Sequence, residues 1–276
     1  MPEVSQIVVV VANMAGRTIV TKRYQNLRSS MWVHLGYRDL KARYARTKLG
    51  AWWSASALLA TVIGISLSVS LLSGQAATEV ASRAAIALGV WTMLSNTLIE
   101  SADSYVADRA FLLNLRVSEF EMTARLLWRN YLILLHNVIV MFVFLAFSPH
   151  FNVWSTLRLV LVVAVLCPFI LCTFFVPSLI VSRLGARYPD LRVFIVTAVQ
   201  LNFFLTPILW SPPTSGVMRT VFLVNPLGWY VQLAKELVFF ERFPSELILL
   251  SLALLISMGL VYLLVVRNLV SIKKYL

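Results

Sequence analysis

Arg38, Lys41, Arg43 and Arg46 stand just ahead of a long apolar run, on the other side from Val33, Tyr37, Leu40 and Tyr44, which recur at spacings of four, three and four. On a helix that spacing gathers the four apolar residues on one narrow face and leaves the cations on the other. The chemistry open to such a basic amphipathic segment is not covalent. It lies in the headgroup layer, either as a plain anchor or as a collector of anionic headgroups. Acids gather in one other place, Glu100, Asp103 and Asp108, the nearest approach in this chain to the carboxylate cluster of an integral-membrane enzyme acting on lipid-linked sugars. Without an Asp-rich motif they read more simply as a charged loop. The phosphate loop G-x-x-x-x-G-K-S/T is missing, as are H-E-x-x-H, CxxC and G-x-S-x-G, so any ATP-driven work must be powered by another chain. Cys167 and Cys172 flank Pro168 with no His or carboxylate at ligand spacing. They read as buried packing thiols, and no metal or cofactor is expected in this chain.

The elements that must position these residues are set by hydropathy. A mean hydropathy of +0.81 and 59% hydrophobic residues exceed what a soluble protein of this length can hide. Six apolar stretches are legible, at about residues 51–72, 84–99, 132–147, 159–181, 193–210 and 247–266, and a helix needs roughly 20 apolar residues to cross some 30 Å of hydrocarbon. The second and third are short, which suits little tilt or a start in the interface. The runs are continuous rather than alternating, which points to helices and not a barrel. The expected fold is therefore all-α and integral to the membrane: six transmembrane helices, an N-terminal amphipathic interfacial helix, and re-entrant or interfacial helices before the last span. Residues 1–30 form a tail ahead of a membrane domain at 31–276. The start carries Glu3 instead of a basic n-region and does not read as a cleaved signal peptide.

Charge fixes an expected orientation. With both termini inside, nineteen of the 24 Lys and Arg fall in cytoplasmic segments, leaving Arg83, Arg158, Arg219, Lys235 and Arg242 outside. The net charge of +12 sits at membrane edges rather than on one compact face. That disfavours nucleic acid and favours anionic lipid or an anionic lipid-linked substrate.

Between the second and third spans, Glu100 to Asn130 mixes charge with Phe111, Leu112, Leu115 and Phe120, a pattern for one or two short helices packed on a partner or on the membrane face. Ser182 to Arg192 is a compact connection holding three Arg and one Asp, either a docking knob or a solvated turn. Ser211 to Glu246 is apolar but interrupted by Pro212-Pro213, Gly216, Asn225-Pro226, Gly228 and Pro244. Neither half can span, and irregular backbone there needs cover from protein or a water-filled cavity. Inside the spans ionisable groups are scarce, His136 and the terminal Glu100 apart, and no internal repeat is present. Both facts disfavour an ion-coupled carrier. Asn96, Asn137, Gln200 and Asn202 read as interhelical glue.

Several runs then become recognisable together: Arg43-Tyr44-Ala45-Arg46-Thr47-Lys48-Leu49-Gly50-Ala51-Trp52, His136-Asn137, Arg187-Tyr188-Pro189-Asp190-Leu191, Phe204-Leu205-Thr206-Pro207-Ile208-Leu209-Trp210 and Asn225-Pro226. From about Trp32 to Tyr275 the chain resembles the transmembrane subunit of ABC-2 type exporters, in the polysaccharide branch that exports O antigen, capsule, teichoic acid or galactan. The resemblance implies a homodimer with a channel at its interface, in a bacterial inner membrane. It also implies two copies of a separate P-loop nucleotide-binding subunit, which would bind ATP and Mg, and a polyprenyl-linked glycan substrate. By carry-over, Arg43, Tyr44, Arg46, Lys48 and Gly50 belong to the gate that meets the substrate headgroup. Phe111, Arg116, Glu119, Arg187, Tyr188 and Asp190 belong to the surface coupled to the ATPase, with Pro189 standing where relatives often carry a basic residue. Trp52, Trp53, Trp91, Phe203, Phe204 and Trp210 would offer rings for stacking on sugar faces along the path, or else pack the core or the interfacial belt. This subunit would perform no covalent chemistry. A small-molecule or drug exporter of the same class keeps the topology, but fits the basic amphipathic helix and the outer broken segment less well.

Overall fold

The computed structural model describes residues 31–109, 117–239 and 244–264, and every regular element among them is a helix. Helix α1 covers residues 31–44. It is followed by α2 (Trp52–Ser73), α3 (Ala77–Ala107), α4 (Glu119–Ala146), α5 (Val153–Arg187), α6 (Leu191–Leu205), α7 (Val217–Val224), α8 (Pro226–Phe239) and α9 (Ser245–Leu264). By length and composition four of these, α2, α4, α5 and α9, can cross a membrane. The arrangement fits a multi-pass membrane protein. The tail at 1–30, with Phe111, Arg116 and the stretch beyond Leu264, lies outside the described residues.

The two remaining stretches expected to span take other forms. Residues 84–99 lie inside α3, which has 31 residues but is less apolar than the four. The reason is its position: α3 is the central helix, packed against α2, α4, α5, α6 and α8. A helix screened by five neighbours needs close contact more than oily side chains, and its buried positions include Ala81, Ala84, Ala85, Ala87 and Ser95. Residues 193–210 fall mostly in α6, but that helix has 15 residues and stops at Leu205, leaving Thr206 to Trp210 irregular.

Helix ends are set by local chemistry. At the start of α4, Ser118 Oγ accepts the Glu121 N–H at 3.1 Å while Glu121 Oε2 accepts the Ser118 N–H at 2.8 Å, a reciprocal capping box. Asn152 and Ser155 do the same for α5. Because α3 runs on to Ala107 and α4 begins at Glu119, the charged stretch expected to fold into separate short helices is largely the extension of two long ones. Likewise the compact connection after α5 contracts to Tyr188-Pro189-Asp190.

Within α5, Val162–Leu166 forms a π turn immediately before Cys167-Pro168. Pro168 has no N–H, and its ring would collide with the carbonyl four residues back, so the wider turn relieves the ladder there. Cys167 is buried as expected, but Cys172, roughly 140° further round the helix, is exposed. Near its far end α5 meets α3 backbone to backbone. A Cβ on Gly185 would overlap the carbonyl oxygen of Ala102, so only glycine allows this crossing.

Candidate functional site

Polar side chains converge at two opposite ends of the helix bundle. At the first, α1 and the C-terminal end of α3 meet the N-terminal part of α4. On α3, Glu100, Ser104 and Asp108 repeat every four residues, with Asp103 beside them; on α4, Arg125 and Arg129 repeat at the same interval. Each set therefore occupies one helical face.

The pairs they form are specific. Arg125 Nε donates to Asp39 Oδ2 on α1, and its Nη2 lies 3.4 Å from Asp108 Oδ1. Arg129 Nη2 donates to Glu100 Oε2 at 2.8 Å, and its Nη1 is 3.5 Å from Asp39 Oδ2. Asn130 Nδ2 donates to the same Glu100 oxygen at 2.9 Å. Arg43, at the last turn of α1, closes the network on Glu100 Oε1. Arg125 is only 6% exposed, so its charge is tolerable because carboxylates surround it. Burial pushes the Asp108 carboxyl above its ordinary value, Arg125 pulls against this, and nearby Asp39 adds to it. The groups frame a polar cavity of about 260 Å³.

Two further links tie this end to the connection between α5 and α6. Arg183 Nε donates to Glu119 Oε2 at 2.6 Å, and Arg192 Nη1 to Asp103 Oδ2 at 2.7 Å. Ser104 Oγ adds a bond to Ser182 Oγ at 2.9 Å. Glu100, Asp103 and Asp108 thus do not stand as a carboxylate cluster: each faces an arginine.

The face that α1 turns inward differs from the expected one. Trp32 and Leu40 pack inward with Gly36, while Tyr37 is half-exposed and carries Lys41 Nζ 4.8 Å over its ring. The inward face is thus turned toward Trp32, Gly36 and Asp39, while Leu40 of the expected face stays buried on it and Val33 and Tyr44 lie half-buried at its edge. Two contacts explain it. A Cβ on Gly36 would lie 2.9 Å from Trp128 Cδ1 and 3.0 Å from the Arg125 carbonyl oxygen, so the helices touch where this residue has no side chain. The same rotation brings Asp39 to the buried Arg125.

Of the other residues assigned to the gate, Tyr44 offers its carbonyl to the Thr47 hydroxyl at 2.9 Å, and Thr47 Oγ1 accepts the Gly50 N–H at 3.1 Å. Arg46 and Lys48 are exposed. Of the coupling residues, Glu119 is paired with Arg183, Arg187 lies 5.3 Å over the Tyr188 ring, and Tyr188 and Asp190 are exposed on the short connection.

The aromatic set divides. Trp91 is buried and meets Phe203 edge-on at 5.8 Å, which in turn meets Phe204 at 5.5 Å. That stack leads from the core to the exposed face of α6. Trp52 instead packs on His136 at 5.5 Å, Trp53 lies exposed beside it on α2, and Trp210 sits past the end of α6.

The second end is built on broken helices. After α6 stops, the carbonyls of its last turn and of Thr206 to Trp210 need donors. Lys235, buried on α8, donates Nζ to the Pro207 carbonyl and to that of Trp210. Asn225 Nδ2 donates to the Leu205 carbonyl and to Thr206 Oγ1, each at 3.3 Å, and its Oδ1 accepts from Gly228 N–H and Asn202 Nδ2. One amide thus caps α8 and covers the end of α6. Asn202 acts between elements as expected, and so does Asn137, which accepts from Ser54 at 3.2 Å; Gln200 is exposed.

Gly36, Asp39, Arg125 and Lys235 were not singled out in the sequence for these roles. The repeat of opposite charges at four-residue intervals on either side of one connection was the available signal for Arg125. No protein-family model matches this chain, and no curated protein does.

Proposed function

We propose that the chain is the membrane-spanning subunit of an ATP-driven exporter, which works as a homodimer with a separate P-loop ATPase and moves a lipid-linked polysaccharide out through the bacterial inner membrane. In this reading α3 and α6, the latter with the irregular residues that follow it, complete six crossings, both termini are cytoplasmic, and α7 and α8 are re-entrant from the outer face. The order of the sequence motifs supports the family. The observation that carries the reading is the charge network at the end formed by α1.

That network gives a physical route for coupling. The connection at Tyr188 to Asp190 is the exposed surface on which an ATPase would press. Arg192 and Arg183 pass its position to Asp103 on α3 and Glu119 on α4. Glu100 and Asp39 pass it on to α1, whose Arg43 remains partly exposed. A phosphate arriving at Arg43 would compete with Glu100 for the same guanidinium, through charge-assisted hydrogen bonds. Loading of substrate and the position of the coupling segment are then parts of one balance of charges. The exposed ring of Phe204, backed by Phe203 and the buried Trp91, would offer sequence-tolerant stacking beside the path.

The test is to purify the tagged chain in mild detergent and weigh the native complex. Two copies of this 31.1 kDa chain with two of a P-loop protein are expected; a chain that stays intact with no ATPase overturns the reading. In the assembled complex Arg43→Gln should abolish glycan-stimulated ATP hydrolysis while leaving thermal stability within about 1 kcal/mol, since the pair is partly exposed.

A further inference from the structure

A second cavity lies outside the charge network of the α1 end. It is a groove of about 500 Å³ between α5, α8 and α9, inside the range of roughly 300–1,000 Å³ common to small-ligand sites. Leu161, Val165 and Phe169 line it from α5, Leu233 and Leu237 from α8, and Ser251 and Leu252 from α9. Among the described residues that line it there is a single charge, Arg158, placed where α5 has just begun.

The dimensions carry the argument. Arg158, Leu161, Val165 and Phe169 follow one face of α5 at intervals of three, four and four residues. Eleven residues of helix rise roughly 16 Å, and one leaflet of hydrocarbon is about 15 Å deep. The π turn at Val162–Leu166 falls in the middle of this face, where an extra residue per turn widens the helix and shapes the groove. A cation at the membrane edge above an apolar slot one leaflet long matches a molecule with an anionic head and a hydrocarbon tail.

We infer that this groove binds one acyl chain of an anionic phospholipid, with the phosphate at Arg158. The guanidinium has five N–H donors, so engaging a phosphate leaves donors for a protein partner. The inference is independent of the proposed export function and of the orientation of the chain. It requires only that α5 begins at one face of the bilayer.

The full chain would be reconstituted with equimolar phosphatidylglycerol and phosphatidylcholine, extracted gently, and the lipid retained per chain counted by native mass spectrometry. Retention of phosphatidylglycerol over phosphatidylcholine is expected, falling about tenfold in Arg158→Glu. Leu252→Trp, which fills the slot, should reduce both lipids. Equal retention of the two lipids, or retention unchanged in both variants, overturns the inference. Should either variant fold poorly, a phosphatidylglycerol carrying a photoreactive group at mid-chain decides the matter on the unaltered protein. Adducts on residues 161–169 and 252 support the site, and adducts spread around the other helices overturn it.

Discussion

The two polar ends of this bundle solve the same problem with different chemistry. At the α1 end, whole charges are neutralised in pairs: four arginines face Asp39, Glu100, Asp103 and Asp108. At the broken-helix end, one lysine and one asparagine cover backbone carbonyls that α6 leaves behind. Where the pairs are partly exposed, as at Arg43 and Arg192, a guanidinium can exchange partners at little cost when another anion arrives. A carbonyl exposed to hydrocarbon has no alternative partner, so the cover over it must stay. The first end is therefore built to be rearranged and the second to be kept.

The sharpest way to break this contrast is Arg125→Met, which takes from Asp108 its arginine and leaves Asp39 only the longer contact to Arg129. A loss of about 3–5 kcal/mol is expected from melting in detergent. The further change Asp39→Asn should recover part of it. Lys235→Met comes next, removing the donor over the Pro207 and Trp210 carbonyls at an expected cost of about 2–3 kcal/mol. Gly36→Ala forces Trp128 and the backbone of α4 away from α1, with about 1–3 kcal/mol expected. It should also raise proteolytic cutting at the junction of α1 and α2. Smallest is Arg219→Gln, which breaks a pair with Glu246 that is 57% exposed. Less than about 1 kcal/mol is expected, and a larger value would show that the broken-helix end also depends on charge.

The sequence disclosed the long apolar helices well because lipid-facing helices must be apolar along most of their length, as α2 and α9 are. It disclosed α3 less well, because a helix enclosed by protein is free to carry Ser, Thr and Asn. The end of α6 was overrun by five residues: Thr206 to Trp210 are apolar enough to continue a helix, and what stops them is Pro207 together with donors on Asn225 and Lys235, distant in sequence. On α1 the apolar periodicity placed Leu40 inward correctly but not Tyr37, because a missing side chain at Gly36 and an ion pair at Asp39 turned the face. Hydropathy has no weight for either.

The crossing of α3 and α5 at Gly185 and Ala102 has a mechanical meaning. Two backbones in contact have no soft side chain between them to absorb a load, so a displacement of one helix at this crossing passes directly to the other. The exposed connection at Tyr188 lies three residues, roughly 5 Å, beyond this contact, so a push on it reaches the backbone of α3 before it reaches the rest of α5.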